Sequence, residues 1–160
     1  MANNPVKWST PVVGLTSYLS TALNSLANDA IDANGAAINN TSNLATHMDI
    51  ELTIASLDLS GQSNPCVDIY LIESVDGGTD YDNVTDAVTA DGSMPPADKV
   101  CTRIGLRPFT EAEVKTAVKS MIPIPPGHFK LCPRNRTGGA LPATGNILSY
   151  RTYNLNLVSA

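Results

Sequence analysis

The sequence predicts an all-β chain: an antiparallel two-sheet β-sandwich, jelly-roll-like, of about eight strands. Residues 1–14 form an extended N-terminal arm on this reading and residues 15–160 a single β-sandwich domain. Three observations predict it. Apolar residues recur with a period of two in several windows, the signature of half-buried strands. The eleven prolines and eleven glycines are spread over 160 residues, so they interrupt helices and supply corners throughout. The strand windows arrive at the regular spacing, with turn signals between them, that sandwiches and jelly rolls use. With 42% apolar and 16% charged residues, the chain is also long enough to bury a core without disulfide or metal support.

Residues 1–14 hold Pro5, Trp8 and Pro11 and lack a strand pattern, hence the arm. The next stretch is rich in Asn, Ser, Ala and Thr. Turn signals at Asn34-Gly35 and Asn39-Asn40 suggest two short strands there, Ala22 to Ala27 and Asp29 to Ile38. His47 to Ile54 is the clearest strand: Met48, Ile50, Leu52 and Ile54 fall on one face and His47, Asp49, Glu51 and Thr53 on the other. Cys66 to Val75 follows a turn-rich link, with Val67, Ile69, Leu71 and Val75 apolar, and is expected to pair with its predecessor. Val100 to Leu106 and His128 to Cys132 are shorter strands bounded by Pro and Gly, the second ending before the turn-forming Asn135 to Gly139.

The segment from Thr110 to Ile124 is contested. Thr110-Glu111-Ala112-Glu113 resembles a capping box that would open a helix. Against it, Val114, Thr116, Val118, Ser120, Ile122 and Ile124 alternate, and Pro123, Pro125 and Pro126 stop any helix, so a strand is favoured. Asn146 to Val158, free of Pro and Gly, is expected to be a central or closing strand.

Several function classes lose support at this stage. A net charge of -5 offers no electrostatic footprint for phosphate backbones or anionic lipid, so neither nucleic acid nor membrane is an expected partner. No leader pattern or membrane-spanning run is apparent. Cys66, Cys101 and Cys132 lie about 30 apart without a CxxC pair, which reads as buried small residues in a reducing compartment rather than a zinc cage. His47 and His128 are the only imidazoles and neither accompanies a nucleophile motif, so no catalytic residue and no cofactor are expected.

Seven of the fifteen acids fall between Glu73 and Asp98. Asp76, Asp80 and Asp82 flank a Gly77-Gly78 turn in a way that calcium would use, but the spacing departs from the EF-hand loop, so the acids read as turn formers and no metal is expected. With one Trp, two Phe and five Tyr, a sugar-stacking cleft is thinly supplied, and Tyr70, Tyr81, Tyr150 and Tyr153 read as packing residues more than as stacking platforms. The long Asp76 to Lys99 connection suits a segment that orders against a neighbouring subunit. The basic residues Arg103, Arg107, Lys115, Lys119, Arg134, Arg136 and Arg151 lie elsewhere, a separation of sign that contact between copies would use.

Four stretches carry a resemblance: Ala36 to Leu44, Tyr70 to Tyr81, Ile122 to Lys130, and Asn135 to Leu141. Together they resemble small virion structural proteins of tailed bacteriophages, over about Ala22 to Leu157. The resemblance implies a β-sandwich that decorates or cements a capsid, binding the major capsid protein as a homo-oligomer, with a trimer favoured, on the capsid surface of a virion assembled in the bacterial host cytoplasm. The capsid or subunit contacts on this reading are Trp8, Pro11, Tyr81, Asp82, Arg134 and Arg136. The alternative it leaves open is a head-fibre or tail accessory protein with a glycan-binding sandwich for host-surface attachment.

Overall fold

A computed structural model describes residues 6–8, 14–74, 76–79, 81, 99–106 and 114–157. Its strands are β1 (Val6–Trp8), β2 (Thr16–Leu19), β3 (Ile38–Asn39), β4 (His47–Ile54), β5 (Cys66–Ser74), β6 (Val100–Gly105), β7 (Lys115–Pro123), β8 (His128–Arg136), β9 (Ile147–Tyr153) and β10 (Leu155–Leu157). One four-stranded sheet has the order β2-β9-β4-β7 and the other β3-β8-β5-β6, and every pairing is antiparallel. From β2 to β9 the chain changes sheet at every step except between the neighbours β5 and β6. That alternation is the strand order of a jelly roll, two Greek keys folded face to face.

The core lies between the sheets. Met48, Ile50, Leu52 and Ile54 of β4 and Leu148 of β9 meet Val67 and Ile69 of β5, Ile104 of β6, and Phe129 and Leu131 of β8, all essentially sealed from solvent. The alternation in His47 to Ile54 thus points to the core as its pattern predicts. Its expected pairing with β5 does not form: β4 lies between β7 and β9, and β5 lies between β6 and β8 in the opposite sheet. The reason is visible in the burial of β5, where the even positions Cys66, Asp68, Tyr70 and Ile72 are buried as well as the odd ones. A strand covered on both faces must occupy a sheet interior, and the link 55–65 carries the chain across to reach it.

A second, smaller cluster of Ile31, Ala33, Tyr70, Ile72, Tyr81 and Cys132 covers the outer face of that sheet. Ile31 and Ala33 come from the stretch where two strands were expected, and both expectations need correction. Ala22 to Ala27 forms a 3-10 turn at Thr21–Leu23 followed by Ser25 in the left-handed region (φ 58°). Asp29 to Ile38 contributes only an isolated bridge, Ile31 to Arg134, before β3. Asp29 is left-handed (φ 62°) and the Asp32 carboxylate accepts the Asn34 N–H, so local side-chain bonding outcompetes extended backbone. The segment still closes the edge of β8, through Asp29 N–H to Asn135 O, Asn135 N–H to Ala30 O and Asp32 N–H to Pro133 O.

That edge explains why β8 runs on past Cys132, through residues expected to turn. Pro133 has no N–H to donate, but its carbonyl accepts from Asp32, so its deficient side faces the irregular segment and not β5. The final window also divides. β9 is central, between β2 and β4, as expected, whereas β10 leaves the sheet to pair with β1, so Val6–Trp8 of the arm forms a two-stranded ribbon with residues 155–157. The remaining arm positions and the Thr110 to Glu113 capping-box alternative lie outside the described residues.

The contested segment is the strand β7, at the open edge of its sheet. Its burial departs from its pattern. The register shifts between the pairs Met48 to Ile122 and Ile50 to Lys119, so two residues, Ser120 and Met121, oppose Asp49 alone, with Met121 at φ 63°. This bulge changes the phase of the alternation. Ile122 is buried, while Val114 and Val118, expected on the same face, are 64% and 56% exposed.

Candidate interaction surface

Two charged networks lie on the outer faces of the sandwich, each centred on a buried carboxylate. On β5, Asp68 stands directly between Arg103 of β6 and Arg134 of β8, because the strand register places the three abreast. Arg103 grips it with two bonds, Nε to Oδ1 at 2.6 Å and Nη2 to Oδ2 at 3.3 Å, and Arg136 Nη1 reaches Oδ2 at 3.2 Å. Arg134 turns instead to Asp29, with Nη2 at 3.1 Å from Oδ1. Asp68 is 2% exposed, so burial works to raise its carboxyl pKa; the hydrogen bonds and charges of the two arginines outweigh burial and hold it below the ordinary value.

Asp49 plays the same part on the other sheet. Arg151 approaches Oδ2 at 2.8 Å, the Tyr153 hydroxyl donates to Oδ1 at 2.9 Å, and the Met121 N–H at the bulge donates to Oδ1 at 3.3 Å and to the Tyr153 oxygen at 3.0 Å. Burial again pushes this carboxyl up, and the bonds from Arg151, Tyr153 and Met121 bring it below the usual range. His47 stacks on Tyr153 with ring centroids 6.0 Å apart. This arrangement pins the β7 bulge, and with it the exposed edge, to the centre of the sheet.

Both carboxyls are lowered by folding, so the unfolded chain binds protons more readily than the native one. Their contribution is fully present above the unfolded aspartate value of about 3.9 and is lost as pH falls through the lower native values. Urea midpoints measured between pH 6 and pH 2.5 should therefore drop steeply below about pH 4. The double variant Asp49→Asn and Asp68→Asn should show a shallower acid limb, at the cost of lower stability at neutral pH.

These networks revise the expected separation of sign. Arg103, Arg134, Arg136 and Arg151 are engaged by Asp68, Asp29 and Asp49 of their own chain, so a second copy's acids would have to compete for them. Strand register alone brings these partners together, and no local motif announced them. Of the expected contact residues, Tyr81 is buried in the second cluster, with the Lys130 ammonium 4.7 Å above its ring, and so supports the fold. Arg134 is 24% exposed and Arg136 43%, near a polar cleft of about 160 Å³ that includes Asn28, Gln62 and Gly138. Trp8 belongs to β1, and Pro11 and Asp82 lie outside the described residues.

The turn after β5 uses its acid as predicted for a turn former. Asp76 Oδ1 accepts the Thr79 N–H and the Ser74 hydroxyl, and Ser74 Oγ accepts the Gly78 N–H. Among the described residues no group of three His, Cys, Asp or Glu side chains converges as a metal site. Cys66 and Cys132 are buried and Cys101 half-buried, all as free thiols, and burial pushes Cys101 and Cys132 up to about 12, which removes the thiolate that reactive cysteines use. Cys101 lines an open pocket of about 420 Å³ with Leu71, Val100, Pro123 and Ile124. Tyr70 and Tyr153 are buried too, which leaves few rings for stacking against a sugar. Among the described residues no helix is long and apolar enough to cross a membrane.

What the outer surface does offer is β7. Val118 and Met121 of this edge strand, with Val114 just before it, are three of the six large hydrophobic side chains exposed among the described residues. On the same outer face, the register aligns Thr116 of β7 with Thr53 of β4 and Ile147 of β9, and Ile147 is 39% exposed. No protein-family model, curated protein or solved structure matches this chain.

Proposed function

We propose that this chain is a non-enzymatic structural protein of a tailed-phage virion, a decoration or cement protein that binds the assembled shell of major capsid protein as a homo-oligomer, with a trimer favoured. The observation that carries the reading is the strand order: eight strands wound as a jelly roll, an architecture used by viral capsid and lectin domains. This is an argument from fold joined to the sequence resemblance, and its functional content comes from the surface. The pocket beside Leu71, Cys101 and Ile124 is open, and the apolar exposure is concentrated along a sheet and its edge, a shape suited to flat protein contacts.

A shell presents one surface many times over. A rigid body that touches two or three neighbouring shell subunits gains from each contact, because the first raises the effective concentration for the next. Burial of Tyr70, Tyr81 and Tyr153 favours this reading over a glycan-binding fibre or tail protein, which needs such rings at its surface. Co-sedimentation of the purified chain with empty phage shells is expected to show saturable binding at repeating sites. Deleting residues 1–14 leaves β2 to β9 intact and should abolish that binding while circular dichroism stays β-rich. A full chain that does not sediment with shells, or that turns over a substrate in a hydrolase screen, overturns the reading.

A further inference from the structure

We propose that the corner of the second sheet built by Arg103, Asp68 and Arg136 is a docking surface for an acidic segment of a partner protein, whose carboxylate it takes between the two guanidinium groups. The inference deepens the proposed reading by naming the chemistry of the surface bound, and it rests on that reading for the partner, a shell subunit.

Arg103 and Arg136 reach Asp68 from the strands on either side of β5, and Arg103 Nη2 and Arg136 Nη1 meet at the same oxygen, Oδ2, at 3.3 and 3.2 Å. Two groups of like charge are thereby held side by side by the carboxylate beneath them. The side chain of Asp68 is 2% exposed, whereas those of Arg103 and Arg136 are 59% and 43% exposed. The anion forms the floor and the cations face solvent. Of the five N–H donors on each guanidinium, Arg103 uses two on Asp68 and Arg136 one, and among the described residues neither makes another hydrogen bond. As a stabilising element the clamp is inefficient, because the cost of desolvating Asp68 offsets much of the attraction. What it fixes is direction. A guanidinium already oriented loses less freedom when a second carboxylate arrives, and its planar fork can serve two carboxylates at once.

Charge sets the class of ligand. Arg134 stands abreast of Asp68 and pairs with Asp29, so the corner holds three arginines against two carboxylates, in a chain whose net charge is -5. A cationic excess that small and that local suits one or two carboxylates, whereas a phosphate backbone or an anionic lipid layer would also meet the repulsion of the remaining acids. The cleft beside Arg136 is lined by Asn28, Asp29, Gln62, Ser63, Thr137 and Gly138, with no aromatic or large aliphatic side chain. It offers a polar, hydrated rim, the surrounding that an acidic segment keeps on docking and an apolar one would not.

The test is binding of the full chain to a fluorescent hexaglutamate peptide at low ionic strength, read by anisotropy. The unmodified chain is expected to bind saturably, and less tightly as salt shortens the screening length. Arg103→Lys with Arg136→Lys keeps both charges and leaves Asp68 a cationic partner, so the circular dichroism spectrum should stay β-rich. Binding should nevertheless weaken about tenfold, because an ammonium has no planar fork to share between two carboxylates. Lys119→Ala removes an exposed cation from the other sheet and should leave binding unchanged. The lysine double variant should also bind empty shells about tenfold more weakly than the unmodified chain. No saturable peptide binding, equal binding by the lysine double variant, or an equal loss in Lys119→Ala overturns the inference. So does tighter binding of an oligonucleotide of the same charge, or a shell that holds the double variant as well as it holds the unmodified chain. A chain that takes the peptide through the two arginines yet ignores shells overturns the proposed function alone.

Discussion

Replacing Asn135 by alanine is expected to lower stability by about 3 kcal/mol, because the four hydrogen bonds of one buried amide are lost at once. Asn135 is wholly buried in β8. Its amide donates to Leu26 O and Gly139 O, both at 2.8 Å, and its side-chain oxygen accepts the Thr137 N–H at 2.9 Å and the Thr137 hydroxyl at 2.7 Å. One side chain therefore joins the turn after β2 to the link after β8. Truncation removes all four bonds and leaves the Thr137 N–H without its acceptor, which alone costs about 1–3 kcal/mol, while Leu26 O keeps the Leu141 N–H at 2.9 Å and Gly139 O keeps the Thr137 hydroxyl at 3.0 Å. For a chain of this length the midpoint of thermal unfolding should fall by about 6–12 °C. Asn135→Asp should not rescue it, since a carboxylate would face the Leu26 and Gly139 carbonyls. A drop of less than about 1 kcal/mol would mean that the two loops are held by other bonds.

The second large effect is a contrast between two apolar strand residues. Phe129 is wholly buried between the sheets, and Phe129→Ala should cost about 3–5 kcal/mol through lost burial and the cavity left in a close-packed interior. Val118 is 56% exposed on β7, and Val118→Ala should change stability by no more than about 0.5 kcal/mol. Urea unfolding at neutral pH measures both, and the unchanged slope with denaturant confirms that each variant unfolds from the same compact state. Comparable losses at the two positions would contradict the assigned inner and outer faces.

That contrast marks how far the sequence could be read. Both residues sit in windows of alternating pattern, and alternation identifies a strand and its two faces without saying which face meets the core. For β4 the polar face was strongly polar, so the choice was legible. For β7 both faces carry apolar and polar groups, and a single bulge shifts the phase. Asparagine is the other instance. Asn40 and Asn135 look like turn formers, and Asn146 opens the last strand window, yet all three are buried. Asn40 donates to Ala45 O and Pro125 O, and Asn146 to Asn24 Oδ1 and Pro142 O. Their composition signature is that of surface loops, because nothing local distinguishes an amide that hydrogen-bonds water from one that ties two distant loops.

The same limit governs the surface. The basic residues were visible as charges, but Arg103 meets Asp68 across 35 positions, Arg136 meets it across 68 and Arg151 meets Asp49 across 102, so their neutralisation depends on strand order. The exposed stripe on β7 becomes a surface only once β7 is known to be an edge.

By itself the sequence determined that this chain is built of strands, where most of them begin, and that the two sheets would bury Met48, Ile50, Leu52, Ile54, Val67 and Ile69, because side-chain period and turn chemistry act over a few residues. Only the tertiary structure decided that β4 and β5 part into opposite sheets, that residues 29–34 cover the second sheet's outer face, and that β7 is left open. Those outcomes arise from backbone pairings between segments far apart in the chain, whose energies no local pattern contains.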